Sequence, residues 1–144
     1  MIVYLDTSAL VKRYFKEEHS AAVINYWADA EEIITSCVTY AEAMASFWRK
    51  KREGLTPEGL IREVTGLFKR DWESFIRVEV NEDLNEYVDS LIERHPLRGF
   101  DAIHLASAKV VHDSLQENLL FLCFDQRLAS AAYEEGLNIV RCEE

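Results

Sequence analysis

Four acidic residues far apart in the chain, Asp6, Glu42, Asp101 and Asp125, are the side chains best placed to do chemistry. Asp6 directly follows the apolar run Ile2–Leu5, and Asp125 directly follows Leu119–Phe124. Apolar runs of this length without alternation suit strands covered on both faces, so both acids are expected at strand ends. Glu42 lies one helical turn into the segment after a second strand, on the side of Val38 and Ala45. A carboxylate on an apolar stripe needs a partner, because burying an unpaired charge is costly. Asp101 opens a helix after Arg98-Gly99-Phe100, with His104, Leu105 and Ala108 on the face it begins. If these elements converge, the carboxylates share one pocket and raise one another's pKa unless a cation neutralises them. Mg²⁺ does so through oxygen ligands and keeps the rest of its shell for water and phosphate.

Each acid also has a plainer reading. Asp6 before Thr7-Ser8, Asp101 and Asp125 all suit helix N-caps, and Glu42 suits a surface position. His104 reads as a partly buried histidine with satisfied hydrogen bonds, and Trp27, Trp48 and Trp72 read as core. Independent caps have no reason to gather at one sheet edge, so the joint pattern outweighs its parts.

The elements that must position these acids follow from short apolar runs at Ile2–Leu5, Ile33–Ile34, Phe75–Val78, Leu119–Phe124 and Ile139–Val140. Between them, helices are expected from Ser8 to Phe15, His19 to Ala30, Val38 to Glu53, Pro57 to Trp72, Glu82 to Arg94, Asp101 to Ser114 and Asp125 to Glu135. Val38, Ala41, Ala45 and Trp48 mark an amphipathic stripe. Thr56 and Asn81 are the expected caps of the fourth and fifth helices, and Gly54, Pro96 and Gly136 act as stops. Strands alternating with helices give an α/β fold, a parallel sheet with helices on both faces. Ligands then bind beyond the carboxyl ends of the strands, where the acids fall.

With 144 residues, 49% hydrophobic and 29% charged, the chain suits one domain spanning 1–144. No apolar stretch approaches the roughly 20 residues of a membrane helix, and the first residues lack a basic leader, so a cytoplasmic protein is expected. Cys37, Cys123 and Cys142 fit neither a disulfide framework nor a zinc site and read as reduced thiols without a chemical role. The net charge of −10 opposes simple electrostatic binding to nucleic acid. Nearly all of that excess is C-terminal: residues 1–72 carry 10 basic and 11 acidic side chains, residues 73–144 carry 6 and 15. Bound cations can supply the missing positive charge. Lys12, Arg13 and Lys16 form one basic cluster and Arg49–Arg52 another, with solvated helix faces as the plainer reading.

Four segments, Tyr4-Leu5-Asp6-Thr7-Ser8-Ala9-Leu10, Ser36 to Glu42, Leu97-Arg98-Gly99-Phe100-Asp101-Ala102-Ile103-His104-Leu105-Ala106, and Phe124-Asp125-Gln126-Arg127-Leu128, resemble the PIN-domain family in its own order. The likeness covers nearly the whole chain and is closest in kind to the VapC-type toxin ribonucleases of toxin–antitoxin pairs. It implies a three-layer α/β/α fold with a central five-stranded parallel sheet. It also implies a Mg²⁺ or Mn²⁺ site, hydrolysis of RNA phosphodiester bonds, a homodimer and a cognate antitoxin protein. The family's catalytic and metal-site acids fall on Asp6, Glu42, Asp101 and Asp125. Thr7 and Ser8 stand where a hydroxyl can hold a carboxylate by hydrogen bonding. Cys123 replaces the hydroxyl residue that relatives often place two positions before the last Asp, which puts the positioning around that acid in question. Lys12, Arg13, Arg49 and Arg98 are the candidate RNA contacts, and an acidic pocket is expected to draw a basic side chain from an antitoxin.

Three rival readings are weaker. A receiver-like Mg²⁺-binding domain would carry paired acids near the N-terminus, yet Asp6 has no acidic neighbour before Glu17. An aspartyl phosphatase would carry a second Asp two residues after Asp6, where Ser8 stands. A non-catalytic PIN-like interaction scaffold would have no need of all four acids.

Overall fold

The computed structural model describes residues 1–115 and 117–140. Its strands are β1 (Ile2–Leu5), β2 (Glu32–Ser36), β3 (Ile76–Val78), β4 (Leu119–Leu122) and β5 (Asn138–Ile139). Its helices are α1 (Thr7–Val11), α2 (Ser20–Asp29), α3 (Val38–Arg52), α4 (Glu58–Trp72), α5 (Glu82–Arg94), α6 (Gly99–Leu115) and α7 (Gln126–Glu134). The strands form one parallel sheet in the order β3-β2-β1-β4-β5.

Strand alternation divides the core in two. Ile2, Tyr4, Leu119 and Phe121 face one way and pack with Leu84, Leu91, Leu105 and Leu128, so α5, α6 and α7 cover that face. Val3, Leu5, Leu120 and Leu122 face the other way and pack with Leu10, Val23, Phe47 and Phe68, so α1 to α4 cover the second. This is the expected three-layer α/β/α arrangement with five parallel strands. β1 and β4 are wholly buried, as strands covered on both faces must be. Trp27, Trp48 and Trp72 pack at the edge of the second cluster, in keeping with a core role.

Several boundaries differ from the sequence expectation. α1 stops at Val11 instead of Phe15, because the amides of Arg13 and Tyr14 bond back to Leu10 and Val11 in tight turns. The turns bring the Tyr14 hydroxyl to Asp71, to which it donates at 2.6 Å. His19 does not start α2 but precedes it with a positive φ of 69°. Pro57, not Thr56, stands at the N-cap of α4 and gives no side-chain cap bond. Asn81 does cap α5, accepting from the Asp83 amide at 3.1 Å. α6 begins at Gly99, so Asp101 lies in its first turn and is not its cap. β4 ends at Leu122, which leaves Asp125 three residues beyond the strand and not directly after it. β5 runs one residue earlier than expected, and β2 extends to Ser36.

The buried stripe of α3 is out of phase with the expected Val38, Ala41, Ala45 and Trp48. Thr39, Ala43 and Phe47 are its buried residues, whereas Ala41 and Ala45 are exposed. The core side is set by Phe47, whose ring meets Tyr14, Phe15 and Phe68. The flank bearing Glu42, Ala45, Ser46 and Arg49 faces a cleft instead.

A charged clasp ties the end of α5 to that of α7. Arg94 donates to both oxygens of Glu135 at 3.0 and 2.7 Å, and His95 Nε2 lies 2.6 Å from the same carboxylate. The Arg94 guanidinium holds the Glu135 carboxyl down to about 2. His95 is buried, so removing Glu135 leaves its ring without that partner. Glu135→Ala is expected to cost about 1–3 kcal/mol, read as a lower urea midpoint with unchanged slope.

Candidate active site

The sheet order reverses at β1, with β2 on one side and β4 on the other, and the chain crosses to opposite faces from there. Such a switch point opens a crevice at the carboxyl ends of the strands. A cleft of about 1200 Å³ lies there, and Asp6, Glu42, Asp101 and Asp125 all line it. Each acid comes from a different place: the β1–α1 junction, α3, the first turn of α6, and the β4–α7 junction. β1 and β4 end level, Leu5 opposite Leu122, and the Asp6 amide bonds to the Leu122 carbonyl at 3.4 Å. That register fixes the spacing between the two junctions.

Asp6 is a helix cap and a cleft-lining acid at once. Its carboxylate caps α1 by accepting from the Ala9 amide at 2.9 Å, and both its oxygens accept from the Ser8 hydroxyl at 3.0 Å. Burial pushes the Asp6 carboxyl up to about 6, against the pull of His104 and the Ala9 and Ser8 bonds, with Asp101 adding to the rise. Asp125 likewise caps α7, accepting from the Leu128 amide at 3.1 Å, while remaining exposed to the cleft. The Asp101 side chain makes no hydrogen bond or ion pair among the described residues. Burial raises its carboxyl, and the charge of Asp125 raises it further.

Glu42 is held differently. Thr7 donates to its Oε1 at 2.6 Å, and His104 Nε2 lies 2.9 Å from the same oxygen. Burial raises the Glu42 carboxyl, but the His104 and Thr7 bonds outweigh it and leave it below the ordinary range. A carboxylate only accepts, so Nε2 carries a ring proton toward Glu42, while Nδ1 lies 2.8 Å from the Tyr4 hydroxyl. His104 is thus a satisfied buried histidine and also a brace for Glu42. In sequence His104 shares the Asp101 face, and its i+3 spacing from Asp101 is the signal that ties it to the site.

Hard-cation chemistry suits this donor set. Four carboxylates crowd one cleft, and two of them carry raised proton affinities, a strain that a divalent cation relieves. Among the described residues, no three His, Cys, Asp or Glu groups already stand close enough to cage an ion. The four acids therefore line one cleft without forming a ready-made ligand cluster.

The remaining site candidates separate. Thr7 bonds Glu42 and Ser8 bonds Asp6, so the two hydroxyls brace different acids. Lys12, Arg49 and Arg98 line the cleft, but Arg13 does not: its guanidinium lies 5.6 Å from the Trp27 ring centre. Lys50 and Lys51 pair with Glu17 and Glu58, which leaves Arg49 as the member of its run that reaches the cleft. Cys123 is buried, with its thiol 3.8 Å from the Asp125 carbonyl, and burial pushes that thiol well up. Cys37 and Cys123 are both free, and Cys142 lies outside the described residues.

The residue pattern of the PIN domain matches residues 3–134. The chain belongs to the PIN domain family. Among curated relatives of this PIN chain, Ribonuclease VapC45 of Mycobacterium tuberculosis is 30% identical over 142 residues, covering 96% of this chain and 94% of the relative. The solved structure of Mycobacterium tuberculosis VapC20, described as a Sarcin-Ricin loop cleaving toxin, has a TM-score of 0.67 at 18% identity and covers 97% of this chain and 99% of that one. A toxin-antitoxin complex from Klebsiella pneumoniae has a TM-score of 0.66 at 16% identity, with 96% of each chain covered. These two structures share the PIN fold described above. No helix among the described residues is long and apolar enough to cross a membrane.

Proposed function

We propose that this chain is a Mg²⁺- or Mn²⁺-dependent endoribonuclease, acting as the toxin of a toxin–antitoxin pair. The observation that carries the reading is the gathering of Asp6, Glu42, Asp101 and Asp125 in one cleft at the sheet's carboxyl edge. Its similarity to a curated ribonuclease over nearly the full length supports RNA as the substrate.

In this reading Asp6, Asp101 and Asp125 offer carboxylate oxygens to the ion, and Glu42 is kept ionised and oriented by Thr7 and His104. When bound, the ion screens charge on the phosphate and lowers the pKa of a water. Lys12, Arg49 and Arg98 on the cleft wall hold flanking phosphates, which offsets a net charge of −10. Residues 1–144 act as one nuclease domain, in the cytoplasm and as a homodimer.

The antitoxin partner follows from the same charge. An acidic cleft favours a basic side chain, so an inhibitory protein would insert Arg or Lys there or cover the mouth. The likeness to a chain described as part of a toxin-antitoxin complex supports such a partner.

The test is incubation of the purified protein with tRNA, rRNA and mRNA in Mn²⁺, with cut sites mapped. Discrete internal cuts that disappear in EDTA are expected. An intact RNA panel in Mn²⁺, or cutting that EDTA leaves untouched, would end the reading.

A further inference from the structure

We infer that Phe100 is a stacking platform for the nucleobase beside the scissile phosphate. The inference rests on the nuclease reading above and adds a base-binding residue to it. Phe100 is 58% exposed, and no other Phe or Trp among the described residues is exposed. It belongs to neither hydrophobic cluster, whereas Ala102, Leu105, Ala106 and Ala108 of the same helix are buried. The fold therefore makes no use of its ring, and water contact with so large an apolar face is unfavourable.

Its position gives the ring a different use. Phe100 lines the cleft immediately before Asp101, and Arg98 lines it two residues earlier. The backbone between them is open, since a Cβ at Gly99 would meet nothing within 4 Å. A phosphate near Asp101 carries its base on the adjoining sugar, so a ring one residue away is within reach of that base. Arg98 can hold the neighbouring phosphate at the same lip.

The second aromatic of the cleft shows what an occupied ring looks like. Phe124 lies beside Asp125, but His19 stacks on it at 4.6 Å and 3°, and the Lys12 ammonium lies 5.6 Å from its centre. Phe100 has no ring or cation partner among the described residues. Bases stack on aromatic side chains through the π-face that every base has, which gives affinity with little sequence preference. A base inside a duplex is already paired and stacked between its neighbours, so only an unpaired base can turn onto the ring.

The experiment uses the full chain and a short single-stranded RNA oligonucleotide spanning the strongest mapped cut, in Mn²⁺. Matched oligonucleotides carry an abasic site at one flanking position or the other. Phe100→Ala and Phe100→Leu are each expected to lower kcat/KM on the intact oligonucleotide by about tenfold or more, while Phe100→Tyr retains it. On the oligonucleotide lacking the stacked base, wild type should fall to the level of the Ala variant, and the substitution should then have no further effect. A duplex form of the same sequence should be a poor substrate for all. Loss of less than about twofold in Phe100→Ala, retention by Phe100→Leu, or an equal loss on every abasic oligonucleotide would overturn the proposal. So would an Ala variant that cuts normally but escapes a co-purified inhibitory protein, since Phe100 would then be a protein contact. These results leave wild-type cleavage intact and so fall on this inference alone. A wild type that cuts no RNA at all removes the nuclease reading and this one with it.

Discussion

Asp101→Asn is expected to lose Mn²⁺-dependent RNA cleavage on the order of 10³-fold or more, the rate equivalent of several kcal/mol of metal-derived transition-state stabilisation. Its folding should be untouched. Asp101 is neither a cap nor a hydrogen-bonded partner among the described residues, so the substitution removes charge and little else. Asp6→Asn should lose activity to a similar degree for the same reason, and Asn retains an oxygen that can cap α1. Thr7→Val removes the hydroxyl's bond to Glu42 and its 3.3 Å contact with His104 Nε2, and should cost about 10- to 100-fold, as supports of metal ligands do. The measurement is initial cleavage rate in saturating Mn²⁺, with circular dichroism as the folding control. Near-normal cleavage by a folded Asp6→Asn, Asp101→Asn double variant would end the assignment.

The second large effect is on stability, and its sign follows from Asp6. In the folded protein its carboxyl is pushed up to about 6 by burial. In the unfolded chain it titrates near the ordinary value of about 3.9. The folded state therefore holds this proton more tightly. Its contribution to stability is present below about pH 4 and is lost as pH rises through about 6. The two values differ by roughly two pH units, or about 3 kcal/mol. In EDTA, wild type should weaken relative to Asp6→Asn by about this amount between pH 4 and pH 7.5, measured by urea unfolding. Comparing the two proteins cancels Glu42, whose lowered carboxyl acts with the opposite sign and favours the fold above its unfolded pKa. Mn²⁺ at pH 7.5 should restore stability to wild type and not to the variant. A constant difference across this range would mean that the buried Asp6 charge carries no cost.

The centre of the sheet was legible because β1 and β4 are short and apolar on both faces, as strands covered on both sides must be. The four acids were legible because topology carries strand ends to one edge, whatever lies between them. Glu42 shows where pattern fell short. Ala41 and Ala45 are apolar enough to mimic a core stripe, yet tertiary packing of Phe47 and Ala43 sets the phase of α3. Small residues carry little burial energy, so aromatic partners decide between neighbouring faces. Asp125 reaches the edge even though β4 ends earlier, because Phe124 and Asp125 both still line the cleft. His104 was read as a satisfied core histidine, which its bonds to Tyr4 and Glu42 bear out. What the sequence did not disclose is that one of those partners is a cleft acid, a contact across 62 residues. Arg13 has the right charge and spacing for the cleft but spends its guanidinium on Trp27.

Titration of Mn²⁺ into the purified protein by calorimetry, at a pH above 6 where Asp6 is ionised, examines the shared cleft most directly. Saturable uptake by wild type, abolished in both Asp6→Asn and Asp101→Asn, is the predicted result. No uptake by wild type, or uptake that both variants preserve, would contradict the account.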